Sequence, residues 1–363
     1  MDKKTVVIIG GGFAGSEIAR LLEKCEFLEV ILVDSKNYFE FTPSILRVMV
    51  KPEHMKKIQV IHKHYLKNTR VIVGKVVDIN PEDKKVYYRT NKIKRNINFD
   101  YLVISSGSSY SFPFKGHDTI LPVRTERLRE KFNQIQDAKK ILIVGGGLVG
   151  VEVAGELLDN YKIPGEKEIT IIQSGSELIE RNNKKARDFA KKYLEKKGVK
   201  IIFNDRVVKR TEKICETKNG NKFSADLVFS CIGIKPNFSF MEKYFSESLN
   251  EKNNIQVNEL LQVIGKDNKI YENIFAAGDI TSLKEEKTAQ NAEKQAHIVI
   301  NNIKSLDRGK KHELNKYVSA ERILVISLGK WNGILTYKNF TLTGILPAIM
   351  KKWIEFYTMM KYR

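Results

Sequence analysis

Short unbroken apolar runs alternate with stretches of helical periodicity along most of the chain. Residues 6–9 form one such run and lead straight into Gly10-Gly11-Gly12-Phe13-Ala14-Gly15. A brief apolar run closed by a turn signal reads as a strand. Ala14, Ile18, Leu21 and Leu22 then recur at helical spacing, and residues 30–33 form a second run that stops at Asp34. Strand, helix and strand in that order predict a parallel βαβ unit. The plan then repeats. Residues 141–144 enter Gly145-Gly146-Gly147-Leu148-Val149-Gly150, Val153, Ala154, Leu157 and Leu158 keep helical spacing, and residues 169–172 read as the next strand. Each unit is closed by a later strand ending at glycine, residues 100–104 before Ser105-Ser106-Gly107 and residues 226–230 before Cys231-Ile232-Gly233. The duplication predicts an α/β fold with two Rossmann-like dinucleotide-binding domains.

The glycine spacing carries a specific chemistry. The first glycine permits the tight turn, the second lets a pyrophosphate approach the backbone, and the third lets helix and strand pack closely. The diphosphate then sits at a helix N-terminus. Gly10 to Gly15, with Phe13 and Ala14 between them, and Gly145, Gly147 and Gly150 are therefore candidate cofactor contacts, with Gly107 and Gly233 closing the two units. Asp34 stands where a carboxylate accepts hydrogen bonds from an adenosine ribose. The second unit has Gln173-Ser174 at that place, which leaves NADH and NADPH equally open. Further on, residues 273–279 run through Phe275-Ala276-Ala277 to Gly278-Asp279, ahead of a helical stretch from about Ala289 to Ile303. An apolar strand ending in Gly-Asp can aim a carboxylate at a second phosphate-bearing part of a ligand.

These motifs, GGGFAG with Asp34, DYLVISSG, GGGLVGVEVAGEL, DLVFSCIG and FAAGD, stand in the order seen in flavoproteins with two dinucleotide-binding domains. The chain resembles that superfamily, the pyridine nucleotide-disulfide oxidoreductases. The segment VDSKNYFEFTPSILR is similar to type II NADH:quinone oxidoreductases and to ferroptosis-suppressor and apoptosis-inducing-factor-like flavoproteins. The resemblance implies FAD in the first fold and NADH or NADPH in a second fold inserted within it. It implies boundaries of 1–115 and 241–315 for the two parts of the FAD domain, 116–240 for the NAD(P) domain and 316–363 for a C-terminal extension. It also implies that Gly10, Gly12, Gly15 and Asp34 hold the adenosine diphosphate, that Arg47 and Val76 contact the flavin cofactor, and that Asp279 binds its ribityl or phosphate portion. Gly145, Gly147 and Gly150 are implied to hold the nicotinamide cofactor's diphosphate, and Glu152 to lie near nicotinamide and flavin. Gln290 matches the first glutamine of a family pattern beside the quinone, where Lys294 replaces the second.

The chain's end adds a partner. From Pro347, one side of a helix would carry Ile349, Met350, Trp353, Ile354, Phe356, Tyr357 and Met360, the other Lys351, Lys352, Glu355, Thr358 and Lys361. Aromatic residues opposite lysines read as an amphipathic helix lying on a membrane surface. Dimerisation and packing on the FAD domain are the alternatives. No apolar stretch is long enough to span a bilayer, no signal peptide fits, and Met1-Asp2 lacks the glycine of a myristoylation signal. The expected location is cytoplasmic, peripheral on the cytoplasmic (inner) membrane.

Composition narrows the chemistry further. The net charge of +20 favours anionic partners. Its lysines are scattered, and no nucleic-acid-binding motif accompanies them, so no specific nucleic-acid partner is expected. Three cysteines without a CxxC pair argue against a disulfide scaffold, a zinc ribbon or a dithiol enzyme. Cys231 reads as an inert thiol inside an apolar strand. His62 and His64 read as a surface loop rather than a metal site. The expected function is an FAD-dependent NAD(P)H dehydrogenase passing electrons to a quinone, with Glu152 as a candidate proton relay and Gln290 beside the flavin. The alternatives are reduction of a soluble carrier such as rubredoxin or ferredoxin, and a non-catalytic flavin-bound interaction protein.

Overall fold

The structure, a computed structural model, describes residues 3–116, 118–161, 166–211, 213–319 and 321–363. The Met1-Asp2 reading lies outside them. The first sheet begins with β1 (Lys4–Ile9), β2 (Leu28–Asp34), β3 (Arg70–Val73) and β4 (Tyr101–Ile104). The chain then builds a second sheet from β5 (Lys140–Val144), β6 (Glu168–Ile172), β7 (Lys200–Ile202) and β8 (Leu227–Ser230). It returns to the first with β9 (Gln262–Ile264) and β10 (Ile270–Ala276). The spatial orders are β9-β10-β4-β1-β2-β3 and β7-β6-β5-β8. All pairings are parallel except β9 with β10.

The continuous apolar runs follow from burial on both faces. Val6 and Ile8 of β1 pack in one cluster with Ile18 and Leu22 of α1 (Phe13–Leu22), and Val7 and Ile9 pack in another with Ile79, Val86 and Met241. Side chains alternate across a strand, so each layer takes every second residue.

Register then sets the site. Ile9 pairs with both Val33 and Ile104, and Ile104 pairs with Ala276. Gly10, Asp34, Ser105 and Ala277 therefore leave the sheet side by side at its C-terminal edge, where ligands of open α/β sheets bind. In the second sheet Val144 is level with Ile172 and Ser230, so Gly145, Gln173 and Cys231 leave together. Short strands Ser108–Ser109 and Lys235–Pro236 pair antiparallel and join the two folds just beyond Gly107 and Gly233.

Helix α2 (Leu148–Asn160) opens at the second glycine loop, and α3 (Ala289–Asp307) runs one turn beyond its expected end. A C-terminal antiparallel sheet of β11 (Ile323–Ser327), β12 (Gly333–Tyr337) and β13 (Phe340–Gly344) leads into α4 (Ile345–Met360). Its polar stripe is the packed one. Glu355 and Thr358 are buried, whereas Trp353 is 68% and Phe356 61% exposed. Three ionic ties account for this. Glu355 is bound by Ser44 and by His54 Nε2, the latter at 2.9 Å; Lys351 pairs with Glu152; and Lys361 lies 2.8 Å from Glu293. Among the described helices none is long and apolar enough to cross a membrane.

Two expectations need correction. His64 is exposed, but His62 is fully buried in a helical turn (His62–Tyr65), because Asp34 and Tyr65 satisfy both its ring nitrogens. Cys231 follows β8 rather than lying inside it; burial still pushes its thiol pKa well up, which suits an inert group.

Candidate dinucleotide site

Gly10 has φ +94°, and a Cβ there would lie 2.4 Å from the Ser105 carbonyl oxygen. At Gly15 a Cβ would lie 1.8 Å from the Gly10 carbonyl oxygen, which is the close helix–strand approach that the third glycine permits. Gly12 differs, because nothing lies within 4 Å of its would-be Cβ. It is the N-cap of α1, makes no side-chain cap bond, and the first turn carries no acid. The second loop repeats the arrangement. A Cβ on Gly150 would lie 1.9 Å from the Gly145 carbonyl oxygen, while Gly147, the uncapped N-cap of α2, faces open space. Gly107 and Gly233, both left-handed, face open space as well. Helix N-termini with free N–H groups, no acid and room for an anion fit the diphosphates of two dinucleotides.

Asp34 is buried at the end of β2, and its Oδ2 lies 3.0 Å from His62 Nε2. Burial alone would raise its pKa, but the His62 hydrogen bond and the Lys36 charge outweigh it and hold the carboxyl below the usual range. On its other side His62 Nδ1 meets the Tyr65 hydroxyl at 2.7 Å. Tyr65 donates to Ser16 Oγ, and Ser16 donates to the Gly11 carbonyl. A Cβ on Gly11 would strike both Asp34 and His62, so this glycine makes room for the pair.

Gly278 and Asp279 follow β10 and face the first glycine loop. A Cβ on Gly278 would stand 3.7 Å from the Ala14 methyl, and its N–H donates to Gln295 Oε1 at 2.6 Å. Asp279 accepts from Ser108 Oγ at 2.6 Å and from Lys115 Nζ at 3.0 Å. Its carboxyl is held low because Lys115 and Ser108 outweigh the effect of burial.

The remaining candidates fall in different places. Val76 is a buried core side chain beside a bulge in the strand Lys75–Asn80, paired with Tyr88, so its side chain does not face the glycine loop. Arg47 is committed to Glu156 of α2 at 3.1 Å, an ion pair that joins the two folds. Glu152 accepts the Ser327 N–H at 2.8 Å and binds the Lys351 ammonium, which ties α2 to β11 and α4. Gln290 is exposed at the start of α3, on a cavity of about 370 Å³ that it shares with Arg181, Lys284, Glu286 and Arg322.

Four residues that the sequence reading did not assign to the site touch its candidate residues: His62, Lys115, Gln295 and Glu180. Gln173 replaces the acid of the first fold and turns its Oε1 to the Gly146 N–H at 2.8 Å. Its Nε2 donates to Glu180 Oε1 at 3.2 Å. An exposed carboxylate thus stands beside the position where the sequence shows none.

Comparison with known proteins shows the family. The pyridine nucleotide-disulphide oxidoreductase family model matches residues 4–296. Apoptosis-inducing factor homolog A of Dictyostelium discoideum is 37% identical, covering 96% of this chain and 89% of that protein. Ferroptosis suppressor protein 1 of Xenopus laevis is 30% identical over 95% and 92%. Among solved structures, NDH2 from Plasmodium falciparum in complex with NADH has a TM-score of 0.81 at 16% identity, covering 99% of this chain and 97% of that one. The sulfide:quinone oxidoreductase of Aquifex aeolicus also gives 0.81, at 20% identity over 99% and 91%. The chain belongs to the pyridine nucleotide-disulphide oxidoreductase family and is an FAD-dependent oxidoreductase of NAD(P)H.

Proposed function

We propose that the protein is an NADH:quinone oxidoreductase that works on a membrane surface. The observation that carries this reading is the exposed apolar face of α4, held by a buried polar stripe to both folds. Apolar residues that gather on one exposed face mark an interaction surface. Exposed tryptophan, phenylalanine and tyrosine suit the bilayer interface, and the +20 charge of the whole chain suits anionic lipid. A quinone is itself a membrane solute.

Bound FAD would supply the hydride and electron-transfer chemistry between NADH and quinone, and the protein supplies orientation and electrostatics. Gly12 and the first turn of α1 would hold the FAD diphosphate, Asp34 its ribose, and Asp279 with Lys115 its central portion. Gly147 and α2 would hold the NADH diphosphate. Glu180 favours NADH over NADPH, since a carboxylate accepts bonds from a free ribose diol and repels a 2′-phosphate. Glu152, paired with Lys351 between α2 and α4, is the candidate to move a proton toward the reduced quinone. Gln290 is the candidate contact at the flavin edge.

Steady-state oxidation of NADH by a long-chain quinone tests this, with and without vesicles. The reading requires vesicles to raise the rate. Equal rates in both, with faster transfer to a soluble iron–sulfur carrier, would favour the second reading, for which the +20 charge is the supporting observation.

A further inference from the structure

A cavity of about 560 Å³ lies beneath α4, between residues 47–57 of the first fold and the C-terminal end of α2. Of its four carboxylates only Glu53 lacks an ion pair or hydrogen bond among the described residues. Glu156 is paired with Arg47, Asp159 accepts the Lys330 N–H at 2.9 Å, and Glu355 is held by Ser44 and His54. Lys51 and Lys57 have no ion-pair partner among the described residues, and Lys330 and Lys352 both rest on the Trp331 ring, at 4.8 and 4.5 Å. Burial, and then repulsion from Arg47 and Lys330, lowers the pKa of the Lys352 ammonium. The lining holds six Lys and Arg side chains against four carboxylates, and an excess of positive charge favours an incoming anion. Phe356 and Met360 line the same cavity and also belong to the exposed apolar face of α4. The polar cavity and the apolar face therefore meet along one edge, which is the layout of an amphiphile with an anionic head.

We propose that this cavity takes the phosphodiester headgroup of an anionic phospholipid, with Lys51, Lys57 and Lys352 around the phosphate and the acyl chains along Phe356 and Met360. The proposal rests on the reading that α4 lies on a membrane, and it adds a lipid-specific site to that docking.

The test uses the full-length, FAD-loaded protein in vesicle co-sedimentation. Vesicles of phosphatidylcholine alone are compared with vesicles containing phosphatidylglycerol. The site predicts binding tighter by roughly tenfold on the anionic vesicles. The double variant Lys51→Gln/Lys352→Gln should lose most of that preference, yet still bind phosphatidylcholine and melt like the parent. Lys92→Gln/Lys94→Gln, which removes the same charge from residues that do not line the cavity, should keep it. A preference that survives the first variant, or falls equally in the second, overturns the site and leaves membrane docking standing.

A vesicle-free arm separates the two claims. Monomeric dihexanoylphosphatidylglycerol should quench or shift tryptophan fluorescence saturably through Trp331, and Lys51→Gln/Lys352→Gln should weaken this. Saturation without vesicle binding would retain the site and overturn the membrane reading. No saturation overturns the site, and equal saturation by inorganic phosphate overturns its assignment to a lipid.

Discussion

His62 Nε2 lies 3.0 Å from Asp34 Oδ2, with the imidazole fully buried and the carboxylate nearly so. The pair fixes the acid that we assign to the FAD ribose, and Tyr65 fixes the imidazole in turn. Removing one partner of a buried charged hydrogen bond costs about 2–3 kcal/mol or more. His62→Phe should therefore weaken FAD retention by at least tenfold while leaving the KM for NADH within about twofold. Equilibrium dialysis of FAD checks the first value and steady-state kinetics at saturating FAD the second.

The acid side of the stability profile carries a related prediction. Asp34 has a lowered pKa in the folded protein, so its stabilising contribution is fully present above the ordinary carboxylate value. It is lost as pH falls through the lower folded value. Urea unfolding of the apoprotein from about pH 6 down to about pH 3 should show Asp34→Asn less stable than the parent across the upper part of that window, with the gap narrowing only below about pH 4. A gap that closes well above that pH would show that Asp34 gains nothing from His62 and Lys36.

Glu180 should set coenzyme choice. Glu180→Gln is expected to improve kcat/KM for NADPH relative to NADH by about tenfold, the worth of roughly 1.4 kcal/mol. Assay of both coenzymes at one quinone concentration decides it, and an unchanged ratio removes Glu180 from the ribose site.

Tyr362 makes a stability prediction with an internal control. Its ring is buried, stacked on Phe39 at 4.2 Å and edge-on to Tyr65 at 5.0 Å, yet its hydroxyl has no hydrogen-bond partner. Tyr362→Ala should cost about 3–5 kcal/mol, as for other large aromatic deletions. Tyr362→Phe should be neutral or slightly stabilising, since it removes an unsatisfied buried hydroxyl. Denaturant melts of both variants test the contrast. Because Tyr65 also bonds His62, the alanine variant should lose FAD more readily as well.

The parts of the site legible in the sequence are those built from neighbours in the chain. Gly10, Gly15, Gly145 and Gly150 announce themselves because glycine is needed where a Cβ would meet the backbone 1.8–2.8 Å away. Strands β1 and β5 show because both of their faces are buried, which leaves an unbroken apolar run. The residues that complete the site come from afar. Lys115 reaches Asp279, and Glu180 reaches Gln173 from beyond the strand end; no local pattern marks either. His62 looked like a loop residue because its partner, Asp34, belongs to another element. The helical period of α4 was plain, but not the direction it faces, since its polar stripe is buried against Ser44, His54, Glu152 and Glu293 from four separate stretches of chain.

The central claim is transfer from NADH through bound FAD to a quinone. Anaerobic stopped-flow absorbance on the FAD-loaded protein tests it most directly, with NADH added first and a short-chain quinone second. Rapid loss of the flavin band, followed by its rapid return on adding quinone, is the predicted result. Loss of the band with no return on adding quinone would contradict the account.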